Sequence, residues 1–311
     1  MKFDLGSNHT KQVLPIIPDN FASKKLKMLS LSQKAKLFAA KTYFNALSYL
    51  NAEKAGEKSY KLFAKPRKGA ITAEQEIFLA TSERSSLEYD GHIIPIYCWK
   101  NENPNAKSVL LAHGWESNAA RWQPLSPHLK KLGVTIYALD ALAHGAAAHD
   151  DKNKYFSAVQ YGLNLRETLK RLQPHYVIGH SAGGYAVTYA LSNQKFDNLE
   201  KVILLAPSSD SRSFFNLYLN YLSYNDRVKK AYYKYVEDLV GDLEKLTGQY
   251  LAKNIKIPAL IIHDINDDVV SSKQSELLHA AWKNSTLHLT NGIGHRMRDE
   301  KIYEEIIRYL V

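Results

Sequence analysis

One cysteine, three methionines and no apolar run of membrane-crossing length are what the 311-residue chain is shortest of. Cys98 has no partner for an internal disulfide and no companion for a cysteine metal cage, so it is expected as a small buried side chain on a strand. No segment reaches the roughly 18 consecutive apolar residues of a transmembrane helix. The first thirty residues carry Lys2, Lys11, Lys24, Lys25 and Lys27 but lack the apolar core and cleavage pattern of a secretory leader, which sets the expectation of a soluble, cytoplasmic protein. Internal repeats and low-complexity tracts are missing. So is a His-x-x-x-His spacing on a helix, since His144 and His149 stand five apart in a loop candidate, and no metal or other cofactor is expected.

Acidic residues are scarce in one region only. Residues 1–70 hold 14 Lys and Arg against 4 Asp and Glu, whereas the remainder holds 27 of each sign, so the net charge of +10 sits at the N-terminus. Such a block suits an acidic surface by general electrostatics, and a solvated helical face is the plainer explanation. No nucleic-acid partner is expected; peripheral contact of residues 1–70 with an anionic membrane stays open, as does the oligomeric state.

What is present is an ordinary supply of core. Hydrophobic residues make up 45% and charged residues 23%, enough for one large domain with additions. From Leu31 to about Phe63, Leu37, Ala40, Tyr43, Phe44, Leu47 and Leu50 recur at helical spacing. The run Lys65-Pro66-Arg67-Lys68-Gly69 ends that pattern and bounds a basic helical extension, residues 1–70. Strand signals follow at Glu76 to Ala80, then Ser85 to Tyr89, an Asp90-Gly91 turn and Ile93 to Trp99, the last two forming an antiparallel hairpin. Short apolar strands at 108–112, 134–139, 176–178, 201–206, 259–262 and 286–289 alternate with helical stretches, which predicts a mostly parallel α/β sheet covered on both faces. Residues 71–209 and 256–311 make this core; 210–255, rich in Tyr, Phe, Leu and Lys where one crossover helix would suffice, read as a helical insertion.

The strand Tyr176-Val177-Ile178 runs straight into Gly179-His180-Ser181-Ala182-Gly183-Gly184 and a helix to Leu191. A serine on such a turn is thrust out of the sheet's carboxyl edge, glycines allow the two backbones to approach, and the helix N-terminus favours negative charge nearby. Serine needs a base and the base an orienting acid. His295, in the loop Asn291-Gly292-Ile293-Gly294-His295 before the final helix, is the candidate base; His263 and His288, on or beside strands, read as structural. Asp267, with Val269 and Val270 to anchor its loop, is the candidate acid ahead of Asp264, Asp268 and Asp210. The Ala182 N–H and the Trp115 N–H, presented after His113-Gly114, are the candidate donors to a developing oxyanion.

These pieces together resemble the α/β-hydrolase superfamily, whose chain order of nucleophile, acid and histidine is matched by Ser181, Asp267 and His295. His113-Gly114-Trp115-Glu116, Leu139 to Gly145, His263-Asp264 and Gly294-His295-Arg296 look like bacterial serine esterase-like hydrolases carrying a basic N-terminal extension; the likeness covers most of residues 31–311. It departs at Asp264, where a glycine is common, and at Ala146, where a serine is usual. The resemblance implies a helical cap at 210–255, a small-molecule acyl substrate, and carboxylic-ester (or thioester) hydrolysis through an acyl-enzyme. Phe214, Phe215 and Tyr218 are candidates to line the acyl pocket or, equally, to form the cap's own core. Thioesterase or acyltransferase chemistry would use the same triad, and the contrasting expectation is a non-catalytic interaction protein on a hydrolase scaffold.

Overall fold

The computed structural model describes residues 30–67, 71–149 and 154–311, so Lys2, Lys11, Lys24, Lys25 and Lys27 of the basic block lie outside the described residues. Eight strands, β1 (Glu83–Tyr89), β2 (His92–Trp99), β3 (Ser108–Ala112), β4 (Thr135–Leu139), β5 (Tyr176–His180), β6 (Lys201–Leu205), β7 (Ala259–Asp264) and β8 (Ser285–Thr290), form one sheet in the order β1-β2-β4-β3-β5-β6-β7-β8. The β1–β2 hairpin turns on Asp90 and Gly91, both at positive φ (53° and 71°), the backbone hand that a two-residue turn between twisted strands needs. β2 also runs antiparallel to β4, and from β4 to β8 every pairing is parallel. In β3 the period of two is plain: Leu110 and Ala112 enter the core on one face, with Tyr161, Leu165, Ala186 and Trp282, while Val109 and Leu111 enter the other, with Ile178, Ile302 and Ile306. Burial on both faces explains why these strands read as continuous apolar runs. No helix among the described residues is long and apolar enough to cross a membrane.

Two expectations are corrected. Residues 76–80 are helical, not extended: the helix Ala73–Ala80 starts on a capping box in which Thr72 accepts from the Gln75 N–H and the Gln75 side chain reaches back to Thr72. Phe78 stacks on Trp99 at 4.4 Å, so the apolar residues that suggested a strand serve one helical face. The single helix expected over residues 31–63 is two, Leu31–Leu50 and Ala52–Phe63, interrupted at Asn51, whose side chain caps the second by accepting from the Lys54 N–H.

Between β6 and β7 the chain forms helices Ser211–Tyr221, Asp226–Val240 and Gly248–Ala252. They do not fold over the sheet alone. Phe215, Leu219, Leu222, Tyr224, Val228, Tyr232 and Val236 share a third apolar cluster with Phe44, Ala55, Tyr60 and Ala64 of the N-terminal helices. A side chain at Gly56 would drive into the Ala231 and Tyr232 backbone, so the two segments meet at helix-backbone distance.

Candidate active site

Ser181 follows β5 directly and caps the helix Ala182–Leu191 with φ 54° and ψ −120°, a conformation that costs a non-glycine residue energy and that the surrounding packing must impose. That packing is visible. A side chain at Gly183 would meet the carbonyl oxygens of Ala112 and His113, and one at Gly114 would come within 3.0 Å of the Ser181 Cβ. The loop after β3 therefore lies directly against the serine turn. Ser181 itself is 7% exposed.

His295 Nε2 stands 3.1 Å from Ser181 Oγ, and His295 Nδ1 stands 2.7 Å from Asp267 Oδ2. The three side chains thus form one hydrogen-bonded line drawn from the ends of β5, β7 and β8. Asp267 Oδ1 accepts from the Val269 and Val270 N–H groups at 2.8 and 2.9 Å, so these two residues hold the carboxylate by their backbone. Burial works against the charge on Asp267, yet hydrogen bonds from His263 and His295 hold its carboxyl well below the usual carboxylate range. Asp264 instead joins two loops, accepting from the Asn266 and Ile293 N–H groups and the Thr290 hydroxyl. Asp268 is exposed, and Asp210 caps the helix Ser211–Tyr221 and pairs with Arg212.

The structure also assigns work to residues that the sequence left as structural or unread. His263 Nε2 faces two acceptors, Asp267 Oδ2 at 3.1 Å and the Val270 carbonyl at 2.9 Å, so this nitrogen carries the proton and the ring holds the acid from behind; Nδ1 meets Ser275 Oγ at 2.6 Å. The loop bearing Trp115 is fixed in a similar way. His144 Nε2 accepts from the Glu116 N–H at 2.9 Å, His113 Nε2 accepts from the Ala141 N–H at 3.0 Å, and Asp140 accepts from the Ala119 and Ala146 N–H groups and the Tyr97 hydroxyl. Burial pushes both His113 and His144 down to about 4, so they stay neutral acceptors.

Ala182 is the first residue of its helix, where an N–H has no acceptor within the helix. Trp115 follows Gly114 in the loop against Ser181, and its ring lies between Phe63, stacked at 5.6 Å, and Phe156, edge-on at 4.9 Å. Glu116 is tied back to the N-terminal segment by Arg67, whose backbone N–H and Nε both donate to it. Of the pocket candidates, Phe215 is buried against Phe63, Tyr232 and Tyr233, and the Tyr218 hydroxyl donates to the Ser59 carbonyl, so both serve the contact between insertion and N-terminal helices. Phe214 is half-buried and lies outside that cluster.

The sheet order, the serine turn and the parallel crossovers define an α/β hydrolase. The chain belongs to the alpha/beta hydrolase family, whose sequence profile it matches over residues 109–297. Among individual proteins it is similar to an esterase/lipase-type protein of Mycoplasma pneumoniae, 31% identical over 140 residues that are 44% of this chain and 47% of the relative. The match thus spans about half the length of that relative. A monoglyceride lipase homolog of monkeypox virus is 23% identical over 246 residues, 66% of this chain and 88% of its own. The solved structure of mouse alpha/beta hydrolase domain-containing protein 10 superposes with a TM-score of 0.57 at 14% identity, over 73% of this chain and 96% of that one, a likeness of fold.

Proposed function

We propose that this chain is a serine hydrolase that cleaves a carboxylic ester of a small acyl substrate through an acyl-enzyme. The observation that carries the reading is the unbroken line from Asp267 through His295 to Ser181 at 2.7 and 3.1 Å. His295 Nε2 takes the hydroxyl proton as Ser181 Oγ bonds to the acyl carbon. The carbonyl oxygen, gaining negative charge, is received by the Ala182 and Trp115 N–H groups, while Asp267 steadies the imidazolium. His295 then gives its proton to the departing alkoxide, the alcohol leaves, and a water deprotonated by the same nitrogen releases the acid and restores Ser181.

The names of the relatives, esterase/lipase and monoglyceride lipase homolog, support an ester as the substrate. A thioester, or transfer of the acyl group to another acceptor, would pass through the same residues, and a chain-length series of esters and thioesters separates these chemistries. Among the pocket candidates Phe214 is the first to vary in that series, because Phe215 and Tyr218 are engaged in the contact between the insertion and the N-terminal helices.

Ser181→Ala is expected to lower turnover of an activated aryl ester by on the order of 10³-fold or more, with the unfolding temperature little changed. A fluorophosphonate probe is expected to label the wild type and not the variant. Retained turnover in Ser181→Ala, or a wild type blind to the probe, would sink the reading.

A further inference from the structure

Two donors stand behind the catalytic histidine, and neither belongs to the triad. His180, the residue before Ser181, is 7% exposed and places Nε2 2.8 Å from the His295 carbonyl oxygen. A carbonyl can only accept, so Nε2 carries the proton and Nδ1 is left with a bare lone pair. That Nδ1 is buried and has no partner among the described residues. Arg121, on the short helix Ala119–Trp122 that follows the Trp115 loop, is also 7% exposed and places its Nη2 2.8 Å from the Arg296 carbonyl oxygen. Among the described residues no carboxylate pairs with it; its Cζ lies over the Trp122 ring at 4.7 Å, and burial together with the like charges of Arg298 and Arg296 disfavours its charged form.

Both arrangements are expensive. An unpaired ring nitrogen and a guanidinium without a counterion each lose solvation on burial that a neutral apolar residue would not. What they have in common is the target: two consecutive carbonyls, of His295 and of the residue after it. One donor reaches from the serine turn, the other from the short helix that follows the loop carrying the proposed oxyanion donor.

We propose that His180 and Arg121 are positioning residues for the reaction, a two-point clamp that sets the backbone of His295 relative to Ser181 and the oxyanion loop. The inference rests on the serine-hydrolase reading above. The clamp acts through geometry. His295 must hold Nε2 within reach of Ser181 Oγ while Nδ1 keeps Asp267, and its ring can satisfy both only if its main chain is fixed. Gly292 and Gly294, both at positive φ, turn the loop before it, and Asp264 holds that loop at the Ile293 N–H; past Gly294 the carbonyls at 295 and 296 are held by His180 and Arg121. His180 also lies against the His295 ring, the centroids 5.0 Å apart, so one residue meets both the main chain and the side chain of the base.

The test is two pairs of variants in the full chain, each with one member that keeps the donor and one that removes it: His180→Gln against His180→Met, and Arg121→Lys against Arg121→Met. kcat and KM for an activated aryl ester, the rate of fluorophosphonate labelling of Ser181 and the unfolding temperature are measured for each. The methionine variants are expected to lose kcat and labelling rate together by ~10- to 100-fold, with KM within about twofold, the size of effect a misplaced catalytic group produces. The glutamine and lysine variants are expected to recover most of that loss. Wild-type kcat in both methionine variants overturns the clamp, and so does an equal loss in the donor-keeping and donor-free members of a pair, which marks the residue as packing alone. Should Arg121→Met fail to fold, the His180 pair decides by the same criteria. A wild type that neither turns over ester nor takes the probe overturns the hydrolase reading and the clamp with it, whereas active wild type with indifferent variants overturns the clamp alone.

Discussion

Three aspartates stand within five residues at the end of β7, and the structure gives each different work. Asp264 lashes the strand end to the loop before His295, Asp268 faces solvent, and Asp267 turns inward to His295. The choice of Asp267 was legible because a carboxylate with two apolar residues behind it can be held by their backbone N–H groups, and Val269 and Val270 do this. His263 was not legible, since a histidine on a buried strand has no sequence mark that tells packing from positioning. His263→Leu is expected to leave Asp267 with one donor fewer and to lower kcat roughly tenfold at nearly constant KM. Steady-state kinetics check this; an unchanged kcat would show that the Val269 and Val270 N–H groups suffice.

Among the elements, those whose signal is local were readable and those decided by packing were not. The β1–β2 hairpin follows from Asp90-Gly91, and the serine turn from a strand, glycines and a helix in sequence. The helix Ala73–Ala80 was misread because Ile77, Phe78 and Leu79 fit a short strand equally well until the Thr72 and Gln75 caps are weighed. The break at Asn51 was likewise a capping event hidden inside a continuous apolar pattern. The insertion is the larger surprise, since its core is shared between residues 31–64 and 211–246, more than a hundred residues apart in the chain. Gly56→Val should force the helix Ala52–Phe63 away from Asp226–Val240, lowering stability by about 1–3 kcal/mol. Thermal unfolding reads the loss, and limited proteolysis should cut the N-terminal helices at a protease dose that spares the wild type. A variant as stable and as resistant as the wild type would mean that the two helices can part without consequence.

For the molecule as a whole, burial of histidine sets the response to acid. His113 and His144 are both pushed down to about 4 by burial, from an unfolded value near 6.5. Because the folded values are depressed, the unfolded chain binds more protons between those limits, so the stability they contribute is full above about pH 6.5 and is lost as pH falls toward 4. The unfolding temperature is therefore expected to drop through that window. His144→Gln, which keeps an acceptor for the Glu116 N–H but cannot be protonated, should flatten the profile, and an equally steep profile would refute the assignment. The sequence by itself determined the sheet, the serine turn and the chain order of Ser181, Asp267 and His295, because periodicity and turn chemistry act over a few residues. Tertiary structure alone decided which groups hold those three and what the insertion packs against. The bonds concerned join residues 115 apart for His180 and His295, 175 apart for Arg121 and Arg296, and 159 apart for Ser59 and Tyr218, and no local preference of the chain can encode such a meeting.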